Sequence, residues 1–253
     1  MVLLSFLVVT GCSRRDILDD YPVSGVEVRL DWSGVTEKLP EGVRIIFYPK
    51  DEKGRKIDTY LSVTGGEVKV PSGHYAVVIY NYDTETVLIR GEESYETIQA
   101  YTNFCKLGIA GTEKMVWGPD PLYVVNIDDL DIQNSEETLI LKLKPKLVIR
   151  TYSFSIKVQG LSNVSNVIGS IGGMADHYFL GKAYAMCDDY PINIDLNVKA
   201  GKIEGVFTTF GLPEAIITRL EIKLPVMMNL MIIKVDNSVQ EVKINITEAV
   251  QEP

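Results

Sequence analysis

Several things are scarce in this chain of 253 residues, and each scarcity removes a class of function. Only three cysteines occur, Cys12, Cys105 and Cys187, too few for a small disulfide-stapled scaffold. Histidine appears twice, as His74 and His177, so chemistry needing an imidazole base has two places to find one. His74 stands at a turn-to-strand junction and reads as structural. His177, Cys187 and a nearby aspartate lack zinc-type spacing, so no metal is expected. No phosphate-cradling glycine loop with lysine, no nucleophile elbow and no H-E-x-x-H motif occurs, and neither a cofactor nor enzymatic activity is expected. Basic charge is also short: at a net charge of −9 no basic stripe is available to neutralise phosphates, which excludes nucleic acid as a partner. The acidic run Asp128-Asp129-Leu130-Asp131, with Glu136 and Glu137, lacks the glycine and glutamate spacing of a calcium loop and reads as a solvated turn between strands.

The opening apolar run, Val2 to Val9, is too short to cross a bilayer, which takes roughly 20 residues. It closes on Val9-Thr10-Gly11-Cys12, with charged sequence directly behind, which is the pattern of a bacterial lipoprotein signal. Residues 1–11 are therefore expected to be a signal peptide, Cys12 the lipidated residue and 12–23 a linker. No lysine or arginine precedes Cys12. Two alternatives follow: the true start lies upstream, or the segment is a first buried strand. With Cys12 lipidated, Cys105 and Cys187 are read as two unpaired thiols.

From Gly25 onward the dominant period is two. Val26-Glu27-Val28-Arg29-Leu30-Asp31-Trp32 alternates without a slip, as does Ile192-Asn193-Ile194-Asp195-Leu196-Asn197-Val198, and both predict strands with one face buried. Further strands are expected at Gly42–Tyr48, Ile57–Val63, His74–Tyr82, Val87–Arg90, Tyr123–Ile127, Thr138–Leu143, Leu147–Arg150, Phe154–Val158, Gly205–Phe210, Leu220–Leu224, Leu230–Val235 and Val239–Ile246. Gly65-Gly66 reads as the centre of a hairpin turn. Glycines between Ser162 and Ala175 suggest a crossover with one helical turn at Val164–Ile168. Pro145, which cannot donate to a central ladder, marks the boundary between two β-sandwich domains in tandem, 24–144 and 145–253. The expected class is all-β.

Cys12, Leu30-Asp31-Trp32, Pro71-Ser72-Gly73-His74-Tyr75 leading to Val78-Ile79-Tyr80-Asn81-Tyr82-Asp83-Thr84-Glu85, and Gly169-Ser170-Ile171-Gly172-Gly173-Met174-Ala175 form a set. Together they resemble the fimbrillin-like lipoproteins of Bacteroidales, on the branch beside the minor-fimbria anchor proteins. The resemblance implies two tandem transthyretin-like β-sandwich domains after a lipoprotein signal segment, a lipid anchor at the outer membrane and a place in cell-surface pili with other fimbrial subunits as partners. In polymerising members a protease cuts after an arginine in the first domain, and a neighbour's strand fills the groove left behind. If carried over, the arginines would be Arg29 and Arg44. The donor strand would be Val239–Thr247, with Val242, Ile244 and Ile246 facing the groove and Lys243, Asn245 and Thr247 facing water. The alternative is that this segment is the last strand of its own sandwich. Anchor-type members keep the lipid and are not cut. Ser13-Arg14-Arg15-Asp16 departs from the acidic run that follows the cysteine in surface-displayed members, which leaves the membrane face open.

Two readings of function remain. One is an anchor or accessory subunit of a fimbria-like assembly, working through strand edges. The other is a surface lipoprotein that captures carbohydrate or host protein through its loops, with Trp117 as the best placed aromatic.

Overall fold

The structure, a computed structural model, describes residues 23–51, 54–105, 114–199, 201–213 and 225–250. Cys12, the signal segment, most of the linker and the strand expected at 220–224 lie outside the described residues. Elsewhere the alternating runs become strands, almost without helix. In chain order these are β1 (Val23–Leu30), β2 (Gly42–Pro49), β3 (Ile57–Ser62), β4 (Gly65–Pro71), β5 (Gly73–Asn81), β6 (Val87–Arg90), β7 (Gln99–Thr102), β8 (Phe104–Cys105), β9 (Met115–Val116) and β10 (Tyr123–Ile132). They continue as β11 (Leu139–Leu143), β12 (Lys146–Leu147), β13 (Arg150–Lys157), β14 (Val164–Gly172), β15 (His177–Phe179), β16 (Tyr184–Met186), β17 (Ile192–Lys199), β18 (Lys202–Thr209), β19 (Met227–Lys234) and β20 (Val239–Asn245). One helical turn, α1 (Thr247–Val250), follows.

The first sheet runs β11-β1-β4-β3-β2-β5-β10-β12. Val26 and Val28 of β1, Ile45 and Phe47 of β2, and Val77 and Ile79 of β5 form one cluster with Leu139 and Leu141 of β11 and Leu130 of β10. Strands from opposite ends of the sheet share this cluster because the sheet curls on itself. β2 and β5 are buried on both faces, which explains their long apolar runs. Their second face, with Ile46, Tyr48, Val78 and Tyr80, packs on Ile98, Ala100, Leu180, Ala185 and Phe210.

That second face is covered by a four-stranded sheet, β16-β15-β7-β6. Two of its strands precede Pro145 and two follow it, joined at His177↔Tyr101, Tyr178↔Ala100 and Phe179↔Gln99. Further links cross the same point, since β12 pairs with β10 and β9 pairs in parallel with β17. The segments on either side of Pro145 are thus bonded through shared ladders. The third sheet, β13-β18-β17-β14-β19-β20, curls round Ile171, Met174, Ile192, Ile203 and Phe207, with Phe154 from one edge and Ile244 from the other against the same cluster. Burial of each such side chain contributes about 1.5–3 kcal/mol.

Three local expectations are corrected. The turn between β3 and β4 is Val63-Thr64, not Gly65-Gly66, because Ser62 already pairs with Gly65. Asp128 to Asp131 lie inside β10 at a register shift, not in a turn. Tyr95 Oη donates to Asp128 at 2.7 Å and Lys50 Nζ stands 3.1 Å from Asp129, so partners on other elements hold these carboxylates within a strand. The crossover with a helical turn at 164–168 is instead β14, a strand paired on both sides. Gly169 lies close against β17, where a Cβ would press on the side chains of Ile194 and Leu196.

Candidate functional site

The residues singled out in sequence fall at four separate places. Among the described residues β20 is a sheet edge, paired only with β19. Val242, Ile244 and Ile246 are half-buried against the cluster of their own sheet, while Glu241, Lys243 and Asn245 face solvent. The far end is pinned: Ile246 N donates to Val226 O, Val226 N donates to Thr247 Oγ1, and Val250 is buried in the same core. In this structure the segment is the last strand of its own sheet, and among the described residues no strand lies along its other edge. Its exposed charges are the usual protection for such an edge.

Both arginines sit in ladders. Arg29 pairs with Lys142 of β11 and Gly65 of β4, its side chain exposed beside Glu27. Arg44 lies on β2 between β3 and β5, where Asp58 accepts two hydrogen bonds (2.9 and 2.7 Å) and Glu92 accepts one (2.7 Å). It also donates to Tyr80 Oη at 2.8 Å, and the carboxylates, Asp58 first, raise its pKa further above the ordinary guanidinium range. Neither peptide bond lies on a loop.

Trp117 is 40% exposed, its amide donating to Asn103 O and its carbonyl accepting from Thr102 Oγ1. The other exposed aromatics lie on different elements. Tyr60 and Tyr82 cross edge to face at 5.1 Å, and Phe104 and Tyr190 do so at 5.0 Å. Neither of these two ring pairs includes Trp117.

The shared sheet brings together a group that spacing concealed. Asp176 and His177 are both buried, with His177 Nδ1 2.6 Å from Asp176 Oδ1. Asp176 Oδ2 accepts the amides of Asp188 (2.9 Å) and Tyr190 (3.3 Å). Asp188 Oδ2 lies 3.9 Å from His177 Nδ1, and these three residues place potential metal ligand atoms within 4.8 Å of one another. Both Asp176 oxygens are nevertheless occupied by protein donors, and an N–O separation of 2.6 Å is that of a hydrogen bond. The group holds the 187–190 loop to β15. The sequence offered a signal, an aspartate directly before one of only two histidines, but not the loop amides that complete it.

Cys105 and Cys187 are free thiols. Burial pushes the Cys187 thiol up to about 11, so the thiolate is scarce at neutral pH. Its alkylation by iodoacetamide is expected to be slow at pH 7.5 and to rise about tenfold per pH unit towards that value; a rate flat across pH 7.5–10 would contradict this.

A cleft of about 230 Å³ opens on the outer face of the third sheet, lined by Ser170, Asn229, Met231, Glu241 and Lys243 with Met115 at its margin. Asn229 Oδ1 is buried there and meets no donor among the described residues. Replacing Asn229 by leucine is expected to raise the stability by about 1 kcal/mol, read as a higher urea midpoint, since an unpaired buried acceptor costs about 1–3 kcal/mol.

The chain matches the model of a domain of unknown function, DUF5119, over residues 11–195. It belongs to the DUF5119 family. A Bacteroides ovatus protein described as "putative fimbrium anchoring subunit Fim4B" is 52% identical over 261 residues, covering 99% of this chain and 78% of that protein. A crystal structure of a "putative adhesin" from the same species superposes with a TM-score of 0.85 at 52% identity, over 96% of this chain and 89% of that one. The fimbrial anchor protein Mfa2 of Porphyromonas gingivalis superposes at 0.56 with 14% identity, over 90% and 83% of the two chains, a likeness of fold alone. The DUF5119 match stops at Asp195, inside β17, so β18 to β20 complete the third sheet beyond it.

Proposed function

We propose that this DUF5119 chain is a non-enzymatic, lipid-anchored subunit that fixes a fimbria-like assembly to the outer membrane through contacts at strand edges. The observation that carries this reading is identity of 52% across 99% of the chain with the described fimbrium anchoring subunit. In this reading residues 1–11 are removed, Cys12 carries the lipid, and the chain beyond 23 forms two transthyretin-like sandwiches, 24–144 and 145–253, laced together by the shared sheet. Its partners are other fimbrial subunits, met at edges such as β20, whose outer side has no strand beside it among the described residues. The chain stays whole, because Arg29 and Arg44 are held in ladders on both sides.

Replacing Cys12 with alanine is expected to move the protein from the membrane fraction to the soluble one and to abolish fatty-acid labelling. Detergent extracts of the wild type should co-purify a fibrous partner. An unchanged distribution of the variant would remove the anchor from the proposal. Trp117, exposed beside β9, favours a second reading in which the loops capture carbohydrate; retention on a glycan array, lost in Trp117→Ala and without any fibrous partner, would select it over the first.

A further inference from the structure

If Cys12 is the tether, β1 is the first described strand that a pull on an anchored fimbria reaches. We propose that β1 has a mechanical function, clamping the tether to the body by carrying load in shear; this rests on the anchor reading above. β1 lies between two partners, parallel to β11 (Val26↔Leu139 to Leu30↔Leu143) and antiparallel to β4 (Val23↔Pro71 to Arg29↔Gly65). Val26 and Val28 are buried in the curled core, so sliding β1 would also expose apolar surface.

The parallel pairing decides the direction of load. β1 begins at Val23, at the end remote from Leu30. β11 ends at Leu143, beside Leu30, where Asp31 N donates to Leu143 O at 2.8 Å, and the chain then continues through Lys144 and Pro145 into β12 and β13. Tension between the tether and a partner held by the later strands therefore pulls β1 and β11 lengthwise in opposite senses. All rungs of both ladders are then strained together. If the second load point lay instead at the start of β11, the same rungs would open one after another. An antiparallel β11 would have put the two load points at one end.

The test is single-molecule pulling on the full mature chain, with Cys12 and Cys187 replaced by serine. One handle sits at the N-terminus, the other at a cysteine introduced at one of two exposed positions, Lys144→Cys or Glu137→Cys. The two proteins differ only in where the force is applied, and equal urea midpoints establish equal stability. Rupture is expected at a several-fold higher force through position 144 than through 137, because forced unfolding follows the barrier along the pulled coordinate and not the equilibrium free energy. Equal forces, or a higher force through 137, would overturn the clamp. A clamp that holds while Cys12 proves unlipidated in cells would leave the geometry standing and refute the anchor reading alone.

Discussion

Gly65→Val is expected to dislodge β1 and to cost about 3 kcal/mol or more, among the largest effects of a single substitution in this chain. Gly65 has φ of 105°, a region that residues with a side chain rarely occupy. A Cβ at this position would also collide with the Val28 carbonyl oxygen, part of the β1–β4 ladder. Backbone meets backbone, so no side chain can swing away to make room. Two other glycines separate these causes. Gly201→Ala carries a positive φ of 77° but meets nothing within 4 Å, and its cost should be near 1 kcal/mol from conformation alone. Gly66→Ala has no positive φ and meets only the flexible end of Leu61, so it should be almost neutral. Urea midpoints rank the three, and hydrogen exchange at Val26 and Val28 locates the damage. A Gly65→Val protein with wild-type stability and protected β1 amides would refute the account of this crossing.

Asp176→Ala is expected to destabilise the protein by about 1–3 kcal/mol, the range for leaving a buried hydrogen-bonding group without its partner. The loss strands His177 Nδ1 and the amides of Asp188 and Tyr190, three donors that met the same carboxylate. His177 Nδ1 is buried and loses its partner without compensation, whereas the two amides belong to exposed residues whose bonds to Asp176 are only part-buried. Asp176→Asn keeps one acceptor oxygen and should cost less than the alanine. Because His177 pairs with Tyr101 across the shared sheet, the damage should reach the core between the first and the shared sheet, to which Tyr95 and Phe210 both belong, as a loss of near-ultraviolet circular dichroism. An alanine variant within 1 kcal/mol of wild type would mean that water replaces the carboxylate at this loop.

The strands were legible wherever alternation was clean. β1, β5 and β17 fall within a few residues of the runs that announced them, because a pleated strand with one wet face writes its period directly into the order of residues. Reading failed where composition pointed one way and context another. Glycines near 169–173 looked like a break, yet Gly169 sits inside β14, close against β17. Three aspartates within four residues looked like a turn, yet Lys50 and Tyr95 hold two of them along β10. β8, β9, β15 and β16 are only two or three residues long, too short to carry a period at all.

By itself, then, the order of residues determined the all-β character, the position of most strands and the poverty of catalytic groups, since each of these is a local property or a matter of composition. Tertiary structure alone decided that β1 runs parallel to β11, that strands from both sides of Pro145 share one sheet, and that Asp176 gathers His177 with two distant amides. Pairing, direction and register arise between segments tens of residues apart, where the energy of a contact depends on what the rest of the chain has already placed beside it.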